Sequence, residues 1–334
     1  MTIRIGLIGC GIMGADHAAI LYRDVAGASL AAVYDADTAR AEALAAKMPG
    51  TQVAASAEAL IADAGIDAVL IAAPDALHAP LTLACIAAGK PVLCEKPLAD
   101  SVQACRAIVD AEVAAGQMLV QVGFMRRFDA GYRGLRDGLR SGRMGAALFL
   151  HCVHRNKIAP EYITSPLVLA NSMVHEMDIA RYVLDEDYAA VTVIPARASR
   201  HSTSRQPQFM VLETRSGVVV NVEMTPDAQY GYEVQGELVC EDGTLSLAPA
   251  PPVAMRHAGI SGYLVEEDWR PRFVGAYRTQ AQEWVAALRA GTNPVGASAW
   301  DGYVASATAA AALASLAARQ RTEVVLPPRP SLYG

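Results

Sequence analysis

Short apolar runs separated by alanine-rich helical stretches fill the first third of the chain. The runs "IRIGLIG", "SLAAVYD", "DAVLIAAP", "PVLCEKP" and "MLVQVGF" are apolar at successive positions rather than alternate ones, so each predicts a strand buried on both faces. Strands of this kind alternating with helices define a parallel, doubly wound α/β sheet. Gly89 stands where a helix must end and Pro91 opens the next strand, so punctuation and period agree.

The period changes after Phe124. "LFLHCVHR", "AVTVIPARA", "FMVLETRSGVVVNVEM" and "YEVQGELVCEDGTLSL" alternate at every second position around the turn dipeptides Ser216-Gly217 and Asp242-Gly243, which predicts antiparallel hairpins. One helix interrupts them, "LANSMVHEMDIARYVL", and two follow in "YRTQAQEWVAALRAG" and "DGYVASATAAAALASLAARQ". The expected organisation is an α/β doubly wound domain over residues 1–122, then an α+β domain over residues 123–334 on an open, mainly antiparallel sheet. "APAPP" reads as a loop and "PPRPS" as a C-terminal extension.

Composition narrows the class. With 334 residues and 53% hydrophobic side chains the chain can bury two cores, and a net charge of -6 with no basic run longer than Arg126-Arg127 gives no footprint for nucleic acid. No apolar stretch reaches the roughly eighteen residues of a membrane span, and Arg4 and Asp16 break any signal-like region, so a cytoplasmic protein is expected. Cys10, Cys85, Cys94, Cys105, Cys152 and Cys240 lack paired C-x-x-C spacing and read as small buried hydrophobes, with no metal site.

Gly9, Gly11 and Gly14, with Ile12 and Met13 between the last two, form G-x-G-x-x-G directly after the first strand and at a helix start. Gly9 allows the tight turn, Gly11 lets a pyrophosphate approach the backbone, Gly14 lets helix and strand pack, and the helix N-terminus offers N–H groups to the anion. Asp35 closes the second strand, where a carboxylate accepts from the adenosine ribose and repels a 2'-phosphate, so NAD is the expected cofactor; nearby Arg40 leaves NADP open. Ligands of such sheets sit beyond the strand C-termini. There "AAPDALH" offers Ala72, Ala73 and Pro74 as a flat edge for a cofactor ring, and His78 either bonds a ribose or simply opens the next helix. "CEKPL" places Glu95, Lys96 and Pro97 at the same rim, with Lys96 either a solvated charge or a cation that polarises a substrate oxygen.

At 100° per residue the interrupting helix puts Asn171, His175, Asp178 and Tyr182 on one stripe, and Met173, Met177, Ala180 and Leu184 opposite. That stripe reads as a polar solvated or interdomain face, or as an acid/base site. A zinc-protease reading fails because Ile179, not histidine, stands four residues after His175.

The glycine motif together with "EKP" resembles the glucose-fructose oxidoreductase and inositol dehydrogenase (Gfo/Idh/MocA) family. "VGFMRRFDAGY", "HCVHRN", "VHEMDIARYVL", "QYGYEVQGELV", "CEDGTLSL", "DWRPRFVGAY" and "AWDGYVASAT" resemble its inositol dehydrogenase branch, in order and over essentially the whole chain. The resemblance implies a Rossmann domain, a C-terminal sheet that makes subunit contacts, a homotetramer, and oxidation of one ring hydroxyl of a cyclitol by NAD. It carries a catalytic lysine onto Lys96, the acid/base histidine onto His175, and substrate contacts onto Arg126, His154, Asn156 and either Tyr230 or Tyr232. The departure is Asn171, where the branch carries an aspartate; an amide orients an imidazole but brings no charge. Competing readings are a pyranose dehydrogenase, an NAD-binding sensor without turnover, and an NAD-dependent glycosidase.

Overall fold

The computed structural model describes residues 2–202, 204–248 and 253–334. It divides into two compact units, the first made of residues 1–128, 276–306 and 327–334 and the second of residues 129–275 and 307–326. The expected single cut at residue 122 is therefore replaced by a chain that returns twice to its first unit.

The first unit is built on strands β1 (Ile3–Ile8), β2 (Ala28–Tyr34), β3 (Gln52–Val53), β4 (Ala68–Ile71), β5 (Val92–Cys94) and β6 (Val120–Val122). They form one parallel sheet in the order β3-β2-β1-β4-β5-β6, the doubly wound order whose direction reverses between β1 and β4. Helices α1 (Ile12–Arg23), α2 (Thr38–Ala45), α3 (Ala57–Ala62), α4 (Asp75–Ala87) and α5 (Val102–Ala115) make the crossovers. Every residue of β4, β5 and β6 is buried, which is why these strands show no alternation in the sequence. Strand β3 escaped prediction because both of its residues are exposed and no apolar run marks it.

Returning segments complete this unit. Val122 donates its N–H to the Ala297 carbonyl at 2.7 Å, extending the β6 edge, and Arg278 pairs with Asp24 beyond α1 at 2.7 Å. The tail after residue 326 is not a free extension: Tyr333 is buried and its hydroxyl donates to Glu112 at 2.8 Å. Glu112 also accepts from the Val120 amide at 2.7 Å, so its burial is matched by donors from two parts of the chain.

The second unit opens with α6 (Ala130–Arg140), capped by Asp129, and β7 (Ala147–Arg155). There follow α7 (Ser165–Leu167), a π-helical turn at Val168–Ser172, and α8 (Val174–Leu184). Next come β8 (Tyr188–Pro195), β9 (Gln208–Thr214), β10 (Val219–Thr225), β11 (Glu233–Cys240) and β12 (Thr244–Ser246), then a small hairpin of β13 (Met255–His257) and β14 (Ile260–Gly262). With β15 (Thr322–Glu323) the main sheet has seven strands in the order β12-β11-β7-β10-β9-β8-β15. All its pairings are antiparallel except β7 with β10, which the hairpin pattern alone does not predict. Alternation survives intact: Val220, Val222 and Met224 of β10 are buried while the residues between them are half-buried, so one face packs and the other stays open. Most of the "APAPP" loop, residues 249–252, lies outside the described residues.

Two long helices, α9 (Arg270–Ala290) and α10 (Ala299–Ala318), match the helical stretches read near the C-terminus. Among the described residues no helix is long and apolar enough to cross a membrane.

Candidate functional site

In the first unit the chain leaves β1 at Gly9 with φ 95°, and a Cβ there would lie 2.5 Å from the Ala72 carbonyl oxygen. A Cβ on Gly14 would lie 1.9 Å from the Gly9 oxygen. The protein's own packing thus demands both glycines. Gly11 is different, since a Cβ there would meet nothing within 4 Å. Its lack of a side chain serves no internal contact, and it caps α1 without a side-chain hydrogen bond. Open space at a helix N-terminus is what a pyrophosphate requires, so the residues present fit a dinucleotide. Beside it, Ile12 is exposed and Met13 half-buried.

Asp35 accepts from the Cys10 N–H at 2.7 Å and the Asp37 N–H at 2.9 Å, which fixes its carboxylate beside the glycine turn. Two oxygens offer about four lone-pair sites, so acceptor capacity remains for a ribose hydroxyl. Arg40 reaches Asp35 at 3.4 Å and Asp37 at 3.3 Å; its charge is engaged with carboxylates, which argues against an Arg-bound 2'-phosphate.

Beyond β4, Ala72 and Ala73 are half-buried and Pro74 is exposed, leaving a small apolar ledge. Beyond β5 the ladder continues, because Glu95 donates its N–H to the Ile71 oxygen at 2.9 Å. Glu95 is buried, bonded to His17 Nε2 at 2.7 Å and to the Lys96 N–H at 3.1 Å. Burial pushes its carboxyl upward, but the hydrogen bond and charge of His17 and the nearby Lys96 charge outweigh it, leaving it below the ordinary carboxylate range. His17 was missed by sequence reasoning, although its place one turn after Gly14 aims it at the same rim. Lys96 is half-buried and the Lys96–Pro97 bond is cis. His78 is 1% exposed, and its two ring nitrogens lie 2.6 Å from the Pro97 oxygen and 2.9 Å from the Ala73 oxygen. The ribose role considered for it is corrected on these grounds: both nitrogens already serve backbone carbonyls. Arg126, in the 3-10 turn Met125–Phe128, is fully buried, while its neighbour Arg127 pairs with Asp301 at 3.3 Å.

In the second unit the expected single helix over residues 169–184 is two pieces. Met173 donates to the Val168 oxygen five residues back, closing a π turn, and α8 begins only at Val174. The wider turn lies immediately before His175 and carries Asn171; such turns recur at functional sites. The solvated-face reading is overturned as well, because His175, Glu176 and Asp178 are all buried, whereas Asn171 is half-buried.

Glu176, which the sequence reading passed over, holds His154 Nδ1 at 3.0 Å and joins β7 to α8. It stands next to His175, yet adjacent helical residues diverge by about 100°, so it does not supply the carboxylate that position 171 lacks. Its signal was available as "HE" in a helix facing a strand histidine. The two candidate tyrosines part company. Tyr232 is buried and meets His154 edge-on with ring centres 5.8 Å apart. Tyr230 is half exposed and bonds Arg155 and Glu233. Since Arg155 follows His154 in β7, it points to the other face of the sheet, and Tyr230 belongs there. Asn156 is fixed through its backbone, donating to the Thr225 oxygen at 3.0 Å and accepting from the Ala228 N–H at 2.8 Å.

Fold and nucleotide site together define a dinucleotide-dependent oxidoreductase with a second unit built on a mixed sheet. Residues 3–124 match the oxidoreductase family with an NAD-binding Rossmann fold, and residues 132–246 match the GFO/IDH/MocA C-terminal domain. Inositol 2-dehydrogenase 2 of Saccharopolyspora erythraea is 46% identical over 100% of this chain and 98% of its own. Inositol 2-dehydrogenase of Burkholderia cenocepacia is 39% identical over 100% and 99%. Among solved structures, myo-inositol dehydrogenase from Lactobacillus casei in complex with NAD(H) and myo-inositol superposes with TM-score 0.97 at 33% identity, covering 100% of both chains. The chain belongs to the Gfo/Idh/MocA family of NAD-dependent oxidoreductases.

Proposed function

We propose that this protein oxidises a secondary ring hydroxyl of a cyclitol, myo-inositol or a stereoisomer of it, to the ketone with NAD. The observation that carries the reading is the full-length likeness to an enzyme bound to both NAD(H) and myo-inositol. Bound nicotinamide supplies the hydride acceptor. His175 takes the hydroxyl proton, a task suited to an imidazole near neutral pH, and Lys96 stabilises the developing alkoxide. Arg126, His154, Asn156 and Tyr232 hold the other hydroxyls. Ala73 and Pro74 form the ledge for the cofactor ring. Asn171 orients its neighbours without adding charge.

The test is NADH absorbance with NAD and myo-, scyllo- and chiro-inositol, D-glucose or D-xylose in turn. Turnover with an inositol is expected. NAD binding without any turnover would favour the sensor, and turnover confined to the aldoses would move the substrate to pyranoses. In the same assay Asn171→Asp raises kcat near pH 7 about tenfold, because a carboxylate there stabilises the imidazolium formed on proton transfer. An unchanged or lower rate across the panel removes position 171 from the mechanism.

Copies of the chain assemble through the open face of the seven-stranded sheet, where Phe149, Ile194 and Phe209 are exposed and Ile194 lies directly opposite Phe209. Analytical ultracentrifugation should give four chain masses, and Phe209→Lys should lower that number. A native monomer would overturn this assignment.

A further inference from the structure

Two strand ends meet at His78. Its imidazole comes from α4, is 1% exposed, and spans from the Ala73 oxygen beyond β4 to the Pro97 oxygen beyond β5. Carbonyl oxygens only accept hydrogen bonds, so a ring that satisfies both must donate from both nitrogens, and a ring that donates from both is an imidazolium. A neutral ring would set one nitrogen lone pair against a carbonyl oxygen only 2.6 or 2.9 Å away, too close for any water between them, so one of the two contacts would turn repulsive. Burial works against the charge, while the neighbouring Cys94 sulfur and the two carbonyls favour it, and the balance lifts the ring to about 10.

We propose that His78 is a permanently charged brace that ties the Ala73 ledge to the Pro97 carbonyl and thereby positions Lys96. The inference rests on the reading that Lys96 acts on the substrate oxygen. Lys96 is held on its other side too, since Glu95 accepts its N–H and is itself fixed by His17, whose ring packs edge-on against Tyr277 with centres 5.4 Å apart. Gly123 crowds the same carboxylate: a Cβ there would lie 3.0 Å from it. With Glu95 locked by one histidine and Pro97 by another, the backbone of Lys96 has little freedom to drift. Neither histidine touches the reacting atoms; both are positioning residues.

Nitrogen-15 NMR of the histidine-labelled native protein, with the His78 signal identified by its loss in His78→Phe, should show both ring nitrogens protonated from pH 6 to pH 9. A neutral His78 ring at pH 8 overturns the proposal without reference to catalysis. His78→Phe keeps the ring's bulk and removes both donors. It should lower kcat about 10- to 100-fold, the scale of a small misplacement of a reacting group, while KM for NAD changes less than threefold. The primary deuterium isotope effect on turnover should rise as hydride transfer becomes slower than product release. A merely structural role would lower the amount of folded enzyme and leave kcat per active site and the isotope effect unchanged, and that result also overturns the proposal. Lys96→Met, assayed alongside, separates the two readings. If it retains full turnover, the assignment of Lys96 fails, and with it the positioning role, whatever the NMR shows. If it is inactive while His78→Phe is not, only the brace fails.

Discussion

Replacing His175 with glutamine is expected to lower kcat for cyclitol oxidation by about three orders of magnitude, the middle of the range for losing a general base. That corresponds to roughly 4 kcal/mol of transition-state stabilisation. The affinity for NAD should stay within about twofold, because the glycine turn, Asp35 and the Ala73 ledge are all in the other unit. Lys96→Met is expected to cost a comparable factor, on the order of 10² to 10³, by removing the charge that faces the alkoxide. The two losses should not multiply in the double variant, since a proton acceptor and an alkoxide stabiliser act on one transition state. Steady-state NADH formation and a fluorescence titration with NAD measure both quantities. If His175→Gln keeps more than a tenth of native kcat, another group takes the proton, and the buried Asp178 on the same helix becomes the next candidate.

The Rossmann half was legible because its physics is local. Strands buried on both faces write unbroken apolar runs, and Gly14 answers a steric demand from Gly9 five residues back, within a motif whose spacing is itself local. Asp35 was legible because it closes a strand at the family spacing after the glycine motif, although the contact it makes, with the Cys10 N–H, lies 25 positions back. What the sequence concealed depends on partners distant along the chain. His17 meets Glu95 across 78 positions, and His78 reaches a carbonyl 19 positions away. Neither distance is a period of helix or strand, so no pattern announces it. The π turn is a subtler case. "LANSMVHEMD" has good helical periodicity, and a single extra residue in one turn, which leaves composition untouched, splits the expected helix just before His175. Tyr230 and Tyr232 differ by two positions, a spacing that a regular strand would place on one face. The backbone between them is irregular, with Gly231 at φ 152°, and they end on opposite faces of the sheet. The return of residues 276–306 and 327–334 to the first unit was invisible for a related reason: helical periodicity says that a face is buried, not against what.

Arg205 carries the largest expected effect on stability, and nothing in "SRQPQF" marks it. Its guanidinium is buried, pairs with Asp227 at 2.6 and 2.8 Å, and donates to the carbonyls of Ala159 at 2.8 Å, Pro160 at 3.1 Å and Ile163 at 3.4 Å. Asp227 also accepts from the Ala159 N–H at 3.4 Å, so one ion pair closes the whole 159–163 segment. Arg205→Met leaves a buried carboxylate without its cation and takes a guanidinium donor from the carbonyls of Ala159, Pro160 and Ile163, of which Pro160 keeps the Ile163 N–H. The expected cost is about 3 to 5 kcal/mol, read as a fall of about 10 °C in the melting temperature. Adding Asp227→Leu should recover only part of the loss, since it removes the stranded charge but not the stranded carbonyls; a double-mutant cycle gives the difference. If Arg205→Met melts within about 2 °C of the native protein, the segment has another anchor and the pair is dispensable. The same segment leads through Ser165, whose oxygen accepts from Gln208 at 2.7 Å, into the turn that carries Asn171. At a temperature where the variant remains folded, KM for the cyclitol should therefore rise well before KM for NAD does, because the loosened chain lies in the second unit, away from the glycine turn and Asp35 in the first.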